Sequence, residues 1–501
     1  DRDRELAAAL ELIATSAARG DTASAYAVRR DLIRTYPDVE NPPELRPAIL
    51  AVARAEKEAV TFVSEPIEPQ QGEADSSITA VAALASVSGK SVPGVRDRQA
   101  FALGAGAAYG LDAANGQLLW RRFVGFDTDY LPQPLPTAPG DVLIIDAVRS
   151  ELIRASAATG QAAWRVPLEG GLPLAPAIAG DTAWIATRGG RIYQIDLKTG
   201  RSSGYFQLPQ AVQTPPVISD ATGMLYVVGL EGNLYVLQTG QQPACQNVVY
   251  LGHSPGTIAA TPVLIDQVYL ILAENTGLKY ASLKVLKLDD KGASAKVVQV
   301  EPLEGQVHTP LKREGTAALV ATSNGGLYVY AIGDAQAEQP LTAVTRQHGA
   351  ASQAVAPQVM LSADKLWVAD RLLQHYAFQE STGKFTPIWQ RFNGDVFLQP
   401  LQRVGAALIH TRRVPGQPGV IVAANGADGG ENYWQTTLAA PSATGPLIDS
   451  EAETIALLMS DGGWYETSLK DLAQPRAVWQ PQQQVPLAAG LPTDYASSRF
   501  D

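Results

Sequence analysis

The sequence predicts an all-β fold built from a repeated four-stranded unit, preceded by a short helical segment. Two observations support this prediction. An apolar run that turns through Gly and ends in Trp recurs along the chain, and a Pro follows a short apolar run at intervals of 40 to 48 residues. β-Branched and aromatic runs punctuated by Gly, Pro, Asn and Asp are typical of short strands joined by tight turns. With 46% hydrophobic and 18% charged residues among 501, the chain can bury a packed core.

The clearest copy of the turn lies at residues 109–120. Its apolar run reaches Asp112, turns through Asn115 and Gly116, and ends in Trp120. Gly and Asn tolerate the positive φ that tight turns between strands require, so this segment is predicted to be a β-hairpin. Less perfect copies occur at residues 153–164 and 192–200.

The recurring Pro marks the start of each unit. It occurs at Pro134, Pro176, Pro216, Pro262, Pro310, Pro357, Pro400, Pro446 and Pro486. A period in the forties with about four strands per unit is typical of β-propeller blades. The repeat count gives nine, whereas propellers usually have four to eight blades, so we predict a closed propeller of eight or nine four-stranded blades. The most irregular unit spans residues 401–440.

The two ends of the predicted propeller are each incomplete. The period that starts near Val485 has one strand before the chain ends, and the first hairpin, Phe101 to Val124, lacks a Pro-led opening strand. These halves would complete each other and close the ring, which leaves few exposed sheet edges. In the alternative, residues 78–87 supply the missing strand.

The predicted domains are a helical segment (residues 1–63), a linker (64–77) and the propeller (78–501). Apolar residues at three- and four-residue spacing predict three helices, the second capped by Asp21 or Thr22 and the third by Asn41. The helices resemble a tetratricopeptide-type hairpin. Because such solenoids need about three units to be stable, we expect this segment to pack on the propeller, a partner or upstream sequence.

The charge and the cysteine content argue against several kinds of partner and site. The net charge of −11 argues against nucleic acid or anionic lipid as a general partner. A single cysteine, Cys245, excludes an intramolecular disulfide and a clustered-Cys zinc site. No apolar run is long enough to predict a membrane span. The chain begins at Asp1 without Met or a signal sequence, so it is expected to be a processed form or a fragment.

The pattern Asp-x-x-x-Gly-x-x-x-Trp, within a period of forty-odd residues, resembles the PQQ-type (quinoprotein-like) propeller repeat. It stands as Asp112 with Gly116 and Trp120, as Gly160 with Trp164, as Asp196 with Gly200 and Tyr205, and as Gly383 with Trp389. The resemblance covers roughly residues 79–495.

Proteins with this repeat include quinone-dependent dehydrogenases and non-catalytic scaffolds such as the propeller subunit of the outer-membrane β-barrel assembly machine. The alcohol-oxidising branch stacks adjacent cysteines on its quinone, which Cys245 alone does not allow. Its catalytic Asp and its calcium ligands have no counterpart that can be traced either. The resemblance therefore implies a scaffold of the bacterial cell envelope or periplasm.

Candidate chemical groups are sparse. His253, His308, His348, His375 and His410 lack metal-ligand spacing. His308 and His410 occupy equivalent or adjacent strand positions and can approach a central channel, but the favoured interpretation for each histidine is a hydrogen-bonded residue of a strand or loop. Asp289-Asp290 and the loop at residues 427–432 hold oxygen ligands without regular calcium-loop spacing, so solvated turn acids are the favoured interpretation.

Aromatic and basic residues receive structural interpretations. Trp120, Trp164, Trp389 and Trp479 are predicted to pack between adjacent blades, and Trp184, Trp367 and Trp464 to lie in the core. A basic cluster, Arg371, Arg391, Arg403, Arg412 and Arg413, either steers an acidic partner or belongs to an ordinary mixed surface.

The predicted function is a non-catalytic protein-interaction scaffold that binds a macromolecular partner through one propeller face within a larger assembly. Loops on a rigid ring of sheets can vary without disturbing the core. No catalytic, cofactor-binding or metal site is predicted. The alternative is a quinone-dependent dehydrogenase or a small-ligand sensor that uses the propeller channel.

Overall fold

The computed structural model describes residues 2–37, 43–73, 83–335, 337–349, 355–379, 383–460, 462–472, 478–479 and 481–484. The chain divides into two compact units, residues 1–70 with 166–356, and residues 71–165 with 357–501. Within the described ranges, no helix has the length and apolar character needed to cross a membrane.

Strands dominate both units. The helices are α1 (Arg2–Ala18), α2 (Thr22–Thr35), α3 (Leu45–Ala59) and α4 (Leu469–Leu472). The first strands are β1 (Thr61–Val63), β2 (Gln70–Gln71), β3 (Ala83–Gly89), β4 (Gln99–Gly104), β5 (Ala107–Asp112), β6 (Leu118–Phe123), β7 (Gln133–Leu135), β8 (Ala138–Asp146), β9 (Glu151–Ser156), β10 (Ala162–Pro167), β11 (Ala177–Ala179), β12 (Thr182–Ala186), β13 (Arg191–Asp196), β14 (Ser202–Gln207), β15 (Val217–Ile218), β16 (Met224–Val228), β17 (Asn233–Gln238), β18 (Ala244–Tyr250), β19 (Val263–Ile265) and β20 (Tyr269–Thr276). They are followed by β21 (Tyr280–Leu288), β22 (Ala295–Glu304), β23 (Lys312–Glu314), β24 (Ala317–Ala321), β25 (Leu327–Ile332), β26 (Leu341–Gln347), β27 (Gln358–Ser362), β28 (Lys365–Ala369), β29 (Leu373–Gln379), β30 (Lys384–Arg391), β31 (Val396–Phe397), β32 (Gln402–Val404), β33 (Ala407–Arg413), β34 (Val420–Gly426), β35 (Asn432–Leu438), β36 (Leu447–Asp449), β37 (Thr454–Leu458), β38 (Gly463–Ser468), β39 (Val478–Trp479) and β40 (Gln483–Gln484).

The first unit contains the helices α1 to α3 and four antiparallel sheets. Sheet 3 has the order β1-β14-β13-β12-β11, and sheets 4, 5 and 6 are the simple meanders β15 to β18, β19 to β22 and β23 to β26. Apolar residues of neighbouring sheets form shared cores, for example between sheets 5 and 6. This up-and-down order confirms the predicted propeller-type repeat.

The second unit holds the remaining sheets. Sheet 1 is β4-β5-β6, sheet 2 is β2-β10-β9-β8-β7, and sheet 7 is β27 to β30 in order. Sheet 8 has the order β31-β33-β34-β35-β3-β39 with β32 also on β33, and sheet 9 is β36-β37-β38-β40. The described residues thus form nine sheets, which matches the count of nine repeats. The all-β propeller fold is confirmed, whereas ring closure stays a prediction.

The repeated motif joins one sheet to the next. Gly116, in the β5–β6 turn, has a φ of 76°, and a Cβ there would lie 2.4 Å from the Trp434 ring of sheet 8. Gly160 of sheet 2 stands in the same relation to Trp120 of sheet 1, at 2.6 Å. The Trp120 indole N–H also donates to the Ala157 carbonyl at 2.7 Å. These contacts confirm that Trp120 packs between neighbouring sheets; the side chain of Trp479 lies outside the described part of the chain.

The inner edge of sheet 1 is completed by side chains. The Gln402 amide accepts from the Phe101 N–H at 3.0 Å and donates to the Phe101 carbonyl at 2.7 Å. Gln399 does the same for Leu103, at 3.1 and 2.6 Å. Each amide therefore presents one donor and one acceptor, as a residue of a neighbouring strand would.

Neither predicted completion of sheet 1 is found among the described residues. Residues 83–87, part of the alternative completion, belong to β3, which pairs with β35 instead. The other candidate strand, after Val485, and residues 78–82 lie outside the described part of the chain. The expectation for residues 83–87 was wrong because the outer edge of β35 offers them a longer antiparallel partner.

The segment that follows α3 runs along outer sheet edges. β1 pairs antiparallel with β14 through Thr61–Val63, and β3 pairs with five residues of β35. β2 lies within the predicted linker. The domain boundaries themselves stay a prediction, and Asn41, the predicted cap of the third helix, lies outside the described residues; α3 begins at Leu45.

Candidate functional site

The buried histidines do not converge on a site. His410 is wholly buried between Phe392 and Phe397, and its Nε2–H donates to Asn425 Oδ1 at 2.8 Å. Burial lowers its pKa to about 3. His410 is therefore the hydrogen-bonded strand histidine that the sequence favours, and it does not approach a channel, because its strand position points into the sheet core.

The other histidines have local roles. Burial lowers the pKa of His253 to about 4, and its Nε2–H donates to the Gly229 carbonyl at 2.9 Å. His375 stacks on Trp367 with 5.0 Å between ring centroids. His308 and His348 are exposed, and His348 Nδ1 lies 3.0 Å from a Glu304 oxygen. Among the described residues no group of three His, Cys, Asp or Glu side chains is arranged to hold a metal ion.

The acidic loops use their oxygens within turns and ion pairs. Asp289 accepts from the Ala293 N–H and the Ser294 hydroxyl, both at 2.8 Å. In the loop at residues 427–432, Asp428 pairs with Lys365 at 2.8 Å and Glu431 accepts from the Tyr433 hydroxyl at 2.7 Å. These contacts agree with the interpretation of both segments as turn acids.

These residues do not fit a quinone and its calcium ion. Cys245 is half-buried on β18, and burial raises the pKa of its thiol to about 11. The acids that could bind calcium are engaged as described above. A cavity of about 430 Å³ in the second unit is lined by Tyr109, Arg121, Met459 and Tyr465 among others, and among its described lining residues Arg121 carries the charge.

The basic cluster is not one patch. Arg412 is buried and pairs with Asp395 at 2.8 Å, and Arg403 lies over the Trp367 ring at 5.3 Å. Arg391 donates to the Gly430 carbonyl at 3.3 Å. The members thus serve separate contacts within the second unit, and the structure favours the ordinary-surface interpretation.

The helical segment, residues 2–59, docks on sheet 4 through a buried acid. Glu56 of α3 is fully buried and accepts from the Gln210 amide at 2.6 and 2.7 Å, from the Asn233 amide at 2.7 Å, and from the Tyr235 hydroxyl. The Asn233 amide also donates to the Tyr26 hydroxyl of α2. Burial raises the pKa of Glu56, and the donated hydrogen bonds oppose this rise. One acid thereby ties two helices to the sheet.

Arginines extend this contact to the loops of sheet 4. Arg30 pairs with Glu231 in the β16–β17 turn, and Arg29 donates to the Gly252 carbonyl at 3.4 Å. Arg29 also lies over the Tyr250 ring at 5.5 Å. Of the three alternatives left open by the sequence, the structure shows packing on a neighbouring sheet.

The hairpin β20–β21 projects beyond its neighbours. In each of these sheets a β-bulge interrupts the pairing of the last two strands of the meander. β21 begins at Tyr280, five residues before the bulge, whereas β13 and β17 each begin three residues before theirs. Two additional residues in each strand lengthen the hairpin by about 7 Å. The tip carries Leu278 and Tyr280, which are 90% and 59% exposed.

The hairpin tip, defined here as residues 276–280, is fixed by hydrogen bonds from the segment that follows β22. The Gln306 amide donates to the Gly277 carbonyl at 2.8 Å, and the Gly305 N–H donates to the Lys279 carbonyl at 2.6 Å. Further down, Lys284 donates to the Leu251 carbonyl at 3.3 Å, in the loop that also receives Arg29. The hairpin β20–β21 and the helical segment therefore contact the same loop, and the tip and this segment together are the candidate interaction surface.

Sequence reasoning named none of the residues that build this surface. Glu56 is one acid among many in an amphipathic helix, and its burial depends on sheet 4. The sequence gives a weak indication that β21 is long, because the repeat unit that contains it is among the longest in the chain. Leu278 follows Gly277 in the hairpin turn, which predicts a turn but not its exposure.

Comparison with known proteins identifies the family. Residues 104–391 match the family described as outer membrane protein assembly factor BamB. The structure of BamB from Moraxella catarrhalis is 16% identical, covers 76% of this chain and 97% of its own, and gives a TM-score of 0.46. Dihydro-heme d1 dehydrogenase NirN in complex with DHE is 13% identical, with 71% and 78% coverage and a TM-score of 0.51, and shows the fold alone. A search of curated proteins finds no match. Since the family match spans more than half of the sequence, the chain belongs to the family of the outer membrane protein assembly factor BamB.

Proposed function

We propose that this protein is a non-catalytic interaction scaffold that binds a protein partner through the face bearing the hairpin tip. The observation that carries the proposal is Leu278, which is 90% exposed at the end of an anchored, projecting hairpin. A large apolar side chain in this position gains from burial when a partner covers it. A tip fixed by backbone hydrogen bonds also loses little conformational entropy on binding.

Family membership supports the wider setting. The family is described as an outer membrane protein assembly factor, which favours protein partners within a larger assembly and a location in the cell envelope or periplasm. The docked helical segment adds a second surface beside the tip, with Leu12 and Leu50 exposed at 55% and 46%. A multi-subunit assembly can engage two such surfaces at once.

The groups whose pKa values are shifted by burial have structural roles, which supports a non-catalytic function. Catalytic groups are expected to gather in a cleft and face substrate. Here Glu56 joins helices to a sheet, His253 supports a loop, and His410 fills a core. Each of these groups already has a protein partner that accounts for its environment.

Replacing Leu278 with Asp is expected to reduce association with the partner at least tenfold, because burying an unpaired carboxylate opposes the contact. The measurement is quantitative co-purification after cross-linking in envelope extracts. The melting temperature should stay unchanged, since Leu278 is exposed. Ile388→Asp, at a 52% exposed position on β30, is the matched control. Equal capture by Leu278→Asp and the natural protein would remove the hairpin tip from consideration.

Incubation with pyrroloquinoline quinone and Ca²⁺ is expected to give neither a bound-quinone spectrum nor dye-linked dehydrogenase activity. The physical reason is that Asp289, Asp428 and Glu431 already use their oxygens within the protein. Absorbance after gel filtration is the measurement. A stoichiometric quinone complex would contradict the scaffold proposal.

A further inference from the structure

The chain itself covers several outer sheet edges with extended segments. Positions in different sheets can be compared by counting from the β-bulge between the last two strands of the meander. By that count Tyr205 of β14, Gln435 of β35 and Val300 of β22 are equivalent. Val63 of β1 pairs with Tyr205, and Ser88 of β3 pairs with Gln435, both antiparallel.

The equivalent edge of β22 carries no added strand among the described residues. The Gly305 N–H donates to the Lys279 carbonyl, and this bond flanks the Tyr280–Glu304 pair. Tyr280 and Glu304 are therefore a non-hydrogen-bonded pair of the antiparallel ladder, whose backbone groups do not bond each other. Alternation along the strand then directs the backbone N–H and C=O groups of Val300 away from β21. The Glu304 N–H and C=O point the same way, but the Tyr328 hydroxyl of sheet 6 already bonds both, at 3.0 and 3.3 Å. Pro302, between them, has a carbonyl but no N–H on that side.

The side chains along β22 suit an extended ligand. Val297 and Val300 are 39% and 52% exposed. Lys296 is exposed near the start of the strand, and Glu304 is exposed at its end. A segment antiparallel to β22 would therefore meet complementary charge if it carried a basic residue near its own start and an acidic residue near its end.

Other outer edges are less suitable. At the position equivalent to Val300, β26 has Arg346, whose guanidinium pairs with Glu301 at 2.9 Å. On β30, Pro387 removes a donor, as Pro302 does on β22, and the position equivalent to Val300 holds Gln390 instead of an apolar residue. The edge strand β18 of sheet 4 packs against α3. Two exposed valines, with an outward N–H and C=O at Val300 that have no bonded partner among the described residues, are thus a feature of β22 within this set.

We propose that the outer edge of β22, from Val297 to Pro302, binds an extended segment of a partner protein by antiparallel strand addition. The segment would occupy the place that β1 takes on β14. Backbone hydrogen bonds supply affinity in this mode, and alternate side chains supply selectivity. The inference rests on the proposed function, since it specifies a second contact for the partner of the same scaffold.

The test uses a short, blocked, fluorescent peptide with alternating Thr and Val, one Lys at its start and one Glu at its end. Its binding to the full chain is measured by fluorescence anisotropy. We expect saturable binding that Val300→Pro weakens at least about tenfold, because proline removes the outward N–H. The ladder to β21 does not use that N–H, so circular dichroism and the melting temperature should show a folded variant.

Three controls separate strand addition from apolar adsorption. Val300→Thr keeps the backbone and should stay within about threefold of the natural affinity. Gln390→Pro places proline at the equivalent position of β30 and should leave binding unchanged. The same peptide N-methylated at alternate residues should lose binding. Absence of saturable binding, or equal binding by Val300→Pro or by the methylated peptide, would overturn the inference.

The outcome is independent of the hairpin-tip experiment. If Leu278→Asp abolishes partner capture while the peptide fails to bind, the scaffold function stands and the edge inference falls. If the peptide binds as expected while Leu278→Asp captures partner normally, the edge inference stands and the hairpin tip is the wrong surface.

Discussion

Replacing Glu56 with Ala is expected to release the helical segment from sheet 4 while the sheets stay folded. The substitution leaves the Gln210, Asn233 and Tyr235 donors buried without their acceptor. At roughly 1–1.5 kcal/mol for each lost hydrogen bond, the docking free energy should fall by about 4 kcal/mol. Hydrogen exchange followed by mass spectrometry should show fast exchange in α1, α2 and α3 and unchanged protection in sheets 3 to 6.

The matched control is Glu58→Ala, which removes an exposed acid two residues further along the same helix. Its exchange pattern should equal that of the natural protein. If Glu56→Ala leaves the helices as protected as Glu58→Ala does, the buried acid does not hold the segment.

The same contact should respond to pH. Burial raises the pKa of Glu56 above its ordinary value of 4.5, so docking favours the protonated carboxyl. Its contribution to docking is complete below 4.5 and declines as pH rises through the higher pKa of the docked state. Glu56→Gln should lack this dependence, which the exchange experiment can follow between pH 5 and 8.

Replacing Gln399 and Gln402 together with Leu is expected to destabilise sheet 1 by about 3 kcal/mol, because two N–H and two C=O groups of β4 lose their partners. Chemical denaturation should show the loss, and the peptide spanning β4 should exchange faster. Side-chain volume is nearly conserved, so the change reports on hydrogen bonding more than on packing.

Gln117→Ala is the matched control for this pair. Gln117 lies in the turn of sheet 1 with an exposed side chain, so its loss should change stability by less than about 0.5 kcal/mol. Unchanged exchange at Phe101 and Leu103 in the double variant would show that β4 has another partner.

The repeat made much of the fold predictable. Pro176, Pro216 and Pro262 directly precede the first strand of their sheets, and Gly116 and Gly160 adopt the positive φ that their turns require. These are local properties of a few residues, which recur once per unit. The packing of Trp120 on the next sheet followed from the same regularity.

Contacts between distant residues were not predictable in the same way. Gln402 lies 301 residues from Phe101, and Glu56 lies 177 from Asn233. A glutamine that replaces a strand, or a helix acid that becomes buried, looks like any polar residue on an exposed face until its partner is placed. Candidate site residues were unpredictable for the same reason, since exposure at Leu278 depends on the length of β21 relative to other sheets.

The Trp–Gly contacts of sheets 1, 2 and 8 are directional. Sheet 1 places Trp120 on Gly160, the turn glycine of sheet 2, and receives Trp434 of sheet 8 on its own turn glycine, Gly116. A joint with two unlike halves can be repeated without redesign, because any new repeat brings both halves with it. Sheet 1 keeps both halves although glutamine side chains, and not a strand, complete the edge of β4. The coupling between these sheets is therefore independent of the number of strands within a sheet.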